Sequence, residues 1–537
     1  MHSKRYSLTE GSIWKAMLMF AMPVFLGNVF QQLYNAFDAW CVGNYIGDDA
    51  LAAVSSSGSL IFMMVSFFNG VAMGAGVVIA RSFGARQYDT MRKAIHTAIA
   101  FGLVTGALLT VAGVALTPII LQWMGTPADV LPKSIAYFRY YFCGAIFTVM
   151  YNIFVGILHA VGDSRHPLYY LIFSTFVNIV LDMLFVAVLG FGVGSAAIAT
   201  TISQGVSALL CFLHLVRVDA PYRVRIRQIR FDKESLSQII RYGLPSGVQN
   251  SVIAIANVVV QSNINSFGKA AMAGCGSYSK LEGFAFLPVT CFTQAISTFV
   301  GQNLGAGHHA RVKKGVAFGV VCSCLMAEVI GGLSYAFAPQ LIGFFSESAE
   351  AIAFGTQHMR TICLFYCLLA FSHCIAGVMR GAGKATVPMF TMLACWCLFR
   401  VTYISIAVKL VNQLTTVSWA YPITWTLSSI IFLIYFLKAD WIHNFDRQHR
   451  YPFNISEKTA VFTCCHIIEQ NKPILYVKHD NEGNWQFLCG ENHTADNARI
   501  VALKEVICID PSVRDVANLK HGQTASRLSM DSEWKLM

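Results

Sequence analysis

The two halves of this chain repeat one another at a nearly constant offset of 221 residues. Phe83-Gly84-Ala85 recurs as Leu304-Gly305-Ala306, and Gly156, Gly162 and Pro167 recur as Gly377, Gly383 and Pro388. Arg92-Lys93 is matched by Lys313-Lys314, while Pro23 and Asn28 match Pro245 and Asn250 at an offset of 222. A period this long marks duplicated bundles rather than a solenoid of short repeats. The chain is also 55% hydrophobic and only 12% charged, far too apolar for a soluble protein of 537 residues. Duplication inside an apolar chain is a mark of secondary transporters, which hold their substrate between the halves.

Apolar stretches of about 20 residues can each cross a ~30 Å hydrocarbon core. Twelve are expected, near 15–45, 52–80, 94–118, 132–158, 166–190, 195–216, 237–267, 274–300, 312–338, 357–383, 387–409 and 417–437. The expected fold is therefore an all-α integral membrane bundle of two six-helix lobes, 1–220 and 221–440, followed by a linker and a small α+β soluble domain, 441–537. The first apolar segment, starting near Ile13, is too long for a signal-peptide core and is read as the first span.

Charge orients the bundle. With the N-terminus inside, the cytoplasmic segments carry Arg81, Arg86, Arg92, Lys93, the bases from Arg217 to Arg241, and Arg311, Lys313 and Lys314. The other side has Lys133, Arg139, Lys269, Lys280, Arg360 and Lys409, beside acidic Asp48, Asp49, Glu347 and Glu350. The positive-inside rule then predicts both termini in the cytoplasm, and six spans per half make the repeat parallel. The net charge of +11 is thus accounted for by short loops at the lipid surface. No nucleic-acid partner is expected. The cysteines show no framework spacing, so disulfides are not expected.

Carboxylates inside the membrane each demand a reason. Asp38 lies in the first span, where Gln31, Tyr34 and Asp38 share one helical face at i, i+3, i+7. Asn178 and Asp182 share a face of the fifth span at i, i+4, as do Thr200 and Gln204 in the sixth. A carboxylate in low dielectric can take and release a proton near neutral pH, and neighbouring amide and hydroxyl oxygens could instead complete a sodium shell. Neutralising Asp38 and Asp182 by either ion would let the helices repack. Glu282, Glu328 and Arg400 are weaker candidates for function. The repeat places Val260 or Gln261 at the position of Asp38, and Phe399 and Tyr403 at those of Asn178 and Asp182. Ion coupling is therefore expected in the N-terminal half, with the aromatic C-terminal half binding or gating substrate.

These residues resemble the multidrug and toxic compound extrusion (MATE) transporters, in the bacterial branch with acids in the first and fifth helices. The likeness covers about residues 10–440. It rests on Pro23 through Asp38 to Gly43, on Gly162-Asp163-Ser164-Arg165-His166-Pro167, on Gly301-Gln302-Asn303-Leu304-Gly305-Ala306 and on Arg380-Gly381-Ala382-Gly383-Lys384. The resemblance implies alternating access in the bacterial inner membrane, driven by proton or sodium antiport, with export of amphipathic, often cationic, organic compounds. It also implies a cation site at Asp38, Asn178 and Asp182, with Gln31, Tyr34 and Thr200 as neighbours. Cavity-lining roles are expected for Gln204, Asn257 and Gln261 as well. Other members carry an acid in the seventh helix. Here that helix offers Asn257, Gln261, Asn263 and Asn265 but no acid, which argues against that mechanism.

The tail is expected to hold short strands at 474–477, 485–488 and 499–503, with a turn at 480–483. Its Trp485 to Gly490 segment and its late Ala525-Ser526-Arg527 and Trp534 resemble small bacterial immunity-protein-like domains. Cys464, Cys465, His466, His479, Cys489 and His493 match no standard zinc spacing, so no metal is expected there. The protein partner of the tail is not legible.

The expected function is an ion-coupled antiporter exporting organic cations, not an enzyme, needing no cofactor beyond H+ or Na+ and contacting membrane lipids. One alternative is a lipid-linked oligosaccharide flippase, which should line its cleft with several bases; Arg400 is the only one deep in a span. Another is a membrane-anchored binding or immunity protein acting through its tail. No P-loop is present to use ATP.

Overall fold

The computed structural model describes residues 7–46, 48–123, 131–346, 348–442 and 453–537, the last range apart from 454, 457, 471, 492, 530, 531 and 533. Glu347 and most of the expected linker lie outside the described residues. By contact density the chain forms two compact units, Met1–Trp441 and Ile442–Met537.

A backbone in hydrocarbon must satisfy its own polar groups, so the first unit is helical. Its helices are α1 (Ile13–Tyr45), α2 (Asp48–Gly84), α3 (Tyr88–Trp123), α4 (Leu131–Cys143), α5 (Ala145–Ala160), α6 (Arg165–Asp182) and α7 (Gly194–Arg217). The second set is α8 (Lys233–Asn265), α9 (Lys269–Ala285), α10 (Leu287–Gly305), α11 (His309–Ala336), α12 (Ala338–Gly343), α13 (Ala349–Ile362), α14 (Tyr366–Gly381), α15 (Thr386–Met392), α16 (Arg400–Leu410) and α17 (Leu414–Lys438). Among the described residues, eleven helical segments are long and apolar enough to cross a membrane. A twelfth arises when α4 and α5, which meet at 46°, are taken as one broken span. Large apolar side chains such as Leu108, Val111, Leu410 and Leu437 are exposed, as a lipid-facing surface requires.

The recurring glycines have a shared structural cause. Gly162 (φ 90°) and Gly383 (φ 70°) both sit in the left-handed region. At each, the glycine N–H donates three residues back, to His159 or Arg380, and the next N–H donates five back, to Leu158 or Met379. This closure ends α5 and α14 identically and needs a residue without a Cβ penalty.

Small residues also join the two lobes. Gly70 and Gly74 of α2 face Gly247 and Gly243 of α8. A Cβ at Gly70 would stand 2.4 Å from the Gly247 backbone nitrogen, and one at Gly74 2.2 Å from that of Gly243. Paired glycines four apart allow such backbone approach between membrane helices. At the α2 and α10 ends, Gln302 and Asn303 are fully buried. Gln302 accepts from the Leu8 N–H (2.9 Å) and donates to the Ala160 carbonyl (2.8 Å), while Asn303 donates to the Leu8 carbonyl (3.2 Å). The 301–306 motif thus clasps the N-terminal segment and the end of α5.

The second unit is a sheet of six strands in the order β4-β1-β3-β2-β5-β6: β1 (Ala460–Cys464), β2 (Tyr476–His479), β3 (Trp485–Leu488), β4 (Ala498–Ala502), β5 (Thr524–Ser526) and β6 (Lys535–Leu536). Short helices α18 (Cys465–Gln470) and α19 (Leu503–Ile509) complete it. The β2–β3 hairpin closes where expected, with Asp480 Oδ1 accepting from the Glu482 and Asn484 N–H groups at 3.0 and 2.7 Å. Burial of Val461, Ile474, Val477, Phe487, Leu503 and Val513 forms its core.

Candidate cation and substrate site

Asp38 faces a cavity of about 540 Å³ in the N-terminal lobe. Gln31, Tyr34, Thr200 and Gln204 also line it, so helical spacing on α1 and α7 delivers these side chains to one space. Thr200 Oγ1 donates to Asp38 Oδ2 at 3.2 Å, and the Tyr34 and Ser203 hydroxyls lie 3.4 Å apart. Asn178 and Asp182 are fully buried on α6 and interact with Asp38 from behind the cavity wall. Immediately after Asp182 the helix widens into a π segment, Met183–Val188, the kind of local departure that accumulates at functional positions.

The polar atoms of this group are conspicuously underused. Beyond one another, Asp38 Oδ1, both carboxylate oxygens of Asp182 and both amide atoms of Asn178 meet no hydrogen-bond partner among the described residues, and Gln204 Oε1 is buried without one. Buried polar groups normally find partners. Two carboxylates held against each other with so few donors are chemically suited to a proton or a small cation, the carboxylates supplying charge and Asn178 and Thr200 supplying neutral oxygens.

The structure does not bring Asn257 and Gln261 to this cavity. Asn257 Oδ1 accepts from Arg400 Nη1 at 3.5 Å, and Gln261 Nε2 donates to Asn265 at 2.8 Å on the same helix. Both are on α8, whose N-terminal half packs along α2 while its later turns belong to the other lobe. There Arg400 is buried, its guanidinium 4.7 Å from the Tyr421 ring and 5.3 Å from Trp396, with Nη2 donating to Thr424 at 2.9 Å. Glu282 accepts from Tyr278 at 2.9 Å rather than pairing with Lys280. Glu328 accepts the Cys367 N–H at 3.2 Å, satisfying the backbone just after the 3-10 break at Cys363–Phe365.

Sequence spacing missed Tyr137, Tyr141, Tyr151 and Asn152, which line the cavity from α4 and α5. The i, i+4 tyrosines in the fourth span were a legible signal. The bend at Gly144, which turns Tyr151 back toward the cavity, was not.

A duplicated bundle of broken and unbroken membrane helices, with buried acids beside a cavity of the N-terminal lobe, defines a multi-span transporter. The family model MatE matches residues 23–184 and 245–405, the two matches reproducing the internal repeat. The chain belongs to the MATE family, whose members are transporters rather than enzymes. It is 29% identical over 397 residues to the probable multidrug resistance protein YoeA of Bacillus subtilis, covering 72% of this chain and 86% of that protein. It is 26% identical over 411 residues to the probable multidrug resistance protein NorM of Thermotoga maritima, covering 73% and 87%. A solved MOP superfamily transporter from Pyrococcus furiosus superposes with a TM-score of 0.75 at 25% identity, covering 80% of this chain and 96% of that one.

Proposed function

We propose that this protein exports amphipathic organic cations from a bacterial cell across its inner membrane, in exchange for protons or sodium. Asp38, Asn178 and Asp182 bind the driving ion, with Thr200 as a fourth oxygen. The observation that carries this reading is the pair of buried carboxylates, Asp38 and Asp182, held against each other with no basic partner among the described residues, beside a cavity of about 540 Å³. That cavity is lined by Tyr34, Tyr137, Tyr141 and Tyr151, and by no Lys or Arg among the described residues. Aromatic faces and a carboxylate attract a desolvated cation, whereas a pyrophosphate-bearing lipid would find no counter-charge, which weighs against a flippase. Multidrug resistance relatives support export of small molecules. Both termini are taken as cytoplasmic, from the placement of basic loops.

The mechanism follows from charge. With its carboxylates ionised the site repels closure around buried like charges. Ion binding neutralises it, α1 and α6 pack together, and the substrate-facing cavity changes shape. Ion and substrate then compete for alternative packings of one lobe, which couples their opposite flows.

The test is efflux of a fluorescent organic cation from proteoliposomes under separately imposed pH and sodium gradients. The wild type should respond to one gradient, which names the ion, and Asp38→Asn or Asp182→Asn should abolish that response with the protein still folded. Normal transport by both variants would refute the coupling site. A wild type that moves no cation would refute the substrate class.

A further inference from the structure

We propose that the C-terminal unit binds a zinc ion through Cys464, His466, Cys489 and His493. Linear spacing does not predict this, because Cys-x-His and Cys-x3-His some 20 residues apart are not the spacings of known zinc motifs. The sheet supplies what the spacing lacks. β1 and β3 are parallel neighbours, with Phe462 opposite Gln486 and Thr463 opposite Phe487. Both strands therefore end at the same edge. Cys464 is the last residue of β1 and Cys489 follows the last residue of β3. His466 enters from the first turn of α18, and the chain reverses at Gly490 (φ 84°) before His493.

One ligand atom from each of the four residues lies within 4.8 Å of all the others. Cys489 Sγ is 3.6 Å from His466 Nδ1 and 3.4 Å from His493 Nε2. A tetrahedral ion with Zn–S of about 2.3 Å and Zn–N of about 2.0–2.1 Å holds sulfur and nitrogen roughly 3.5 Å apart. The observed separations bracket that figure. Two thiolates and two imidazoles also select zinc over the hard cations that favour oxygen ligands. The cysteines are buried, 1% and 4% exposed, and the histidines are half-buried. Four protein ligands at one sheet edge form a closed site, which stabilises structure rather than activating water. Glu491, held by Lys472 at 2.6 Å, lies 3.8 Å from His466 Nδ1 and adds negative charge beside the site.

The other cysteine and histidine singled out in the tail stand apart. Cys465 Sγ accepts from Asn497 Nδ2 at 3.5 Å, and His479 stacks on Trp485 with ring centroids 4.2 Å apart. A thiol nucleophile is a poorer account of the cluster, since it needs one histidine and an accessible sulfur rather than a second cysteine and buried sulfurs.

The full-length protein, purified in detergent without a polyhistidine tag, should carry about one zinc per chain by elemental analysis, as a single four-ligand site requires. After chelation, added Co2+ should produce the intense visible absorption of a tetrahedral thiolate site, a band that zinc, being d10, lacks. Cys464→Ser with Cys489→Ser, and His466→Ala with His493→Ala, should each abolish both signals, while Cys465→Ser retains them. The proposal is overturned if the wild type binds neither metal, or if either pair of substitutions leaves the stoichiometry unchanged. It is equally overturned if thiol counting shows Cys464 and Cys489 joined as a disulfide. Should the double variants fail to fold, the thiolate-to-cobalt band of the wild type still decides, because an intensity corresponding to fewer than two thiolates rules out this ligand set.

Discussion

The Thr200 hydroxyl lies 3.2 Å from Asp38 Oδ2, although 162 positions separate the two residues in the chain. The same hydroxyl is 2.9 Å from the Ala196 carbonyl one turn back on α7. Its single proton can turn toward a charged Asp38 or toward its own helix, so the hydroxyl senses the state of the carboxylate. Thr200→Val keeps the shape and removes the choice. A hydrogen bond to a charged group is worth about 1.5–3 kcal/mol, so the apparent affinity for the driving ion should change by roughly 10- to 160-fold. The concentration dependence of ion-driven efflux measures this, and an unchanged half-saturating ion concentration would remove Thr200 from the site.

Gly84 and Gly305 should not tolerate a side chain. A Cβ at Gly84 would lie 1.9 Å from the Gln302 carbonyl oxygen, and one at Gly305 2.2 Å from that of Arg81. Backbone must move in both cases, and overpacking of this kind costs about 1–3 kcal/mol. Gly84→Ala and Gly305→Ala should lower the melting temperature in detergent. Gly276→Ala and Gly332→Ala, where a Cβ meets nothing within 4 Å, should leave it unchanged or raise it. Equal melting of all four variants would contradict the close packing of α2 on α10.

Arg400 should be irreplaceable by lysine. Its plane lies against both Trp396 and Tyr421 while one nitrogen reaches Thr424. An ammonium cannot stack on two rings and donate sideways. Arg400→Ala removes two ring contacts and the bond to Thr424 and should destabilise the C-terminal lobe by about 1–3 kcal/mol. Arg400→Lys should recover less than half of that loss in thermal melts.

In the tail, Arg527 pairs with Asp510 in the interior and donates to the Ile474 carbonyl through Nε at 2.9 Å and Nη2 at 2.7 Å. Its guanidinium also lies 4.4 Å from the Trp534 ring. Arg527→Ala leaves Asp510 buried and unpaired, at a cost of about 3–5 kcal/mol. Limited proteolysis should then digest the tail while sparing the membrane helices. Protection equal to wild type would mean that the pair carries little of the domain's stability.

Asp232 caps α8, accepting from the Ser235 N–H at 2.9 Å and the Ser235 hydroxyl at 2.7 Å. These bonds hold its carboxyl below the usual carboxylate range. The folded pKa being depressed, the stabilisation is fully present at neutral pH and disappears only as pH falls below about 4, through the folded value. Asp232→Ala should cost about 1 kcal/mol at neutral pH and Asp232→Asn far less, because asparagine caps nearly as well. Equal losses in the two variants would show that charge, not capping, is what α8 uses.

Much of the bundle was written in the chain. The apolar stretches located the spans, with ends off by up to eight residues where a helix begins at Ala349 rather than 357, because a bilayer leaves a long apolar segment little choice but a helix. The repeated glycines marked the same helix closures in both halves. Breaks were not legible: nothing in the run from Leu131 to Ala160 announces the bend at Gly144, since Gly is common in unbroken membrane helices. In the tail, β2 and β3 were visible as alternating residues around a turn, while β1, which runs Ala-Val-Phe-Thr-Cys, has a weaker alternation and was missed.

The sequence by itself determined which helical face each polar residue occupies, because the 3.6-residue period fixes that without reference to anything else. It thereby grouped Gln31 with Tyr34 and Asp38, Asn178 with Asp182, and Thr200 with Gln204. What each face meets was decided by tertiary structure alone. Asn257 shares the polar character of α8 with Gln261, yet packing assigns it to Arg400 rather than to the cavity. Tyr137 and Tyr141 reach the site because α4 and α5 bend around it. Cys464 and Cys489 meet because two parallel strands end at one edge. Local periodicity is set by covalent geometry, whereas proximity between distant segments depends on the register, bends and close approaches that only the packed chain possesses.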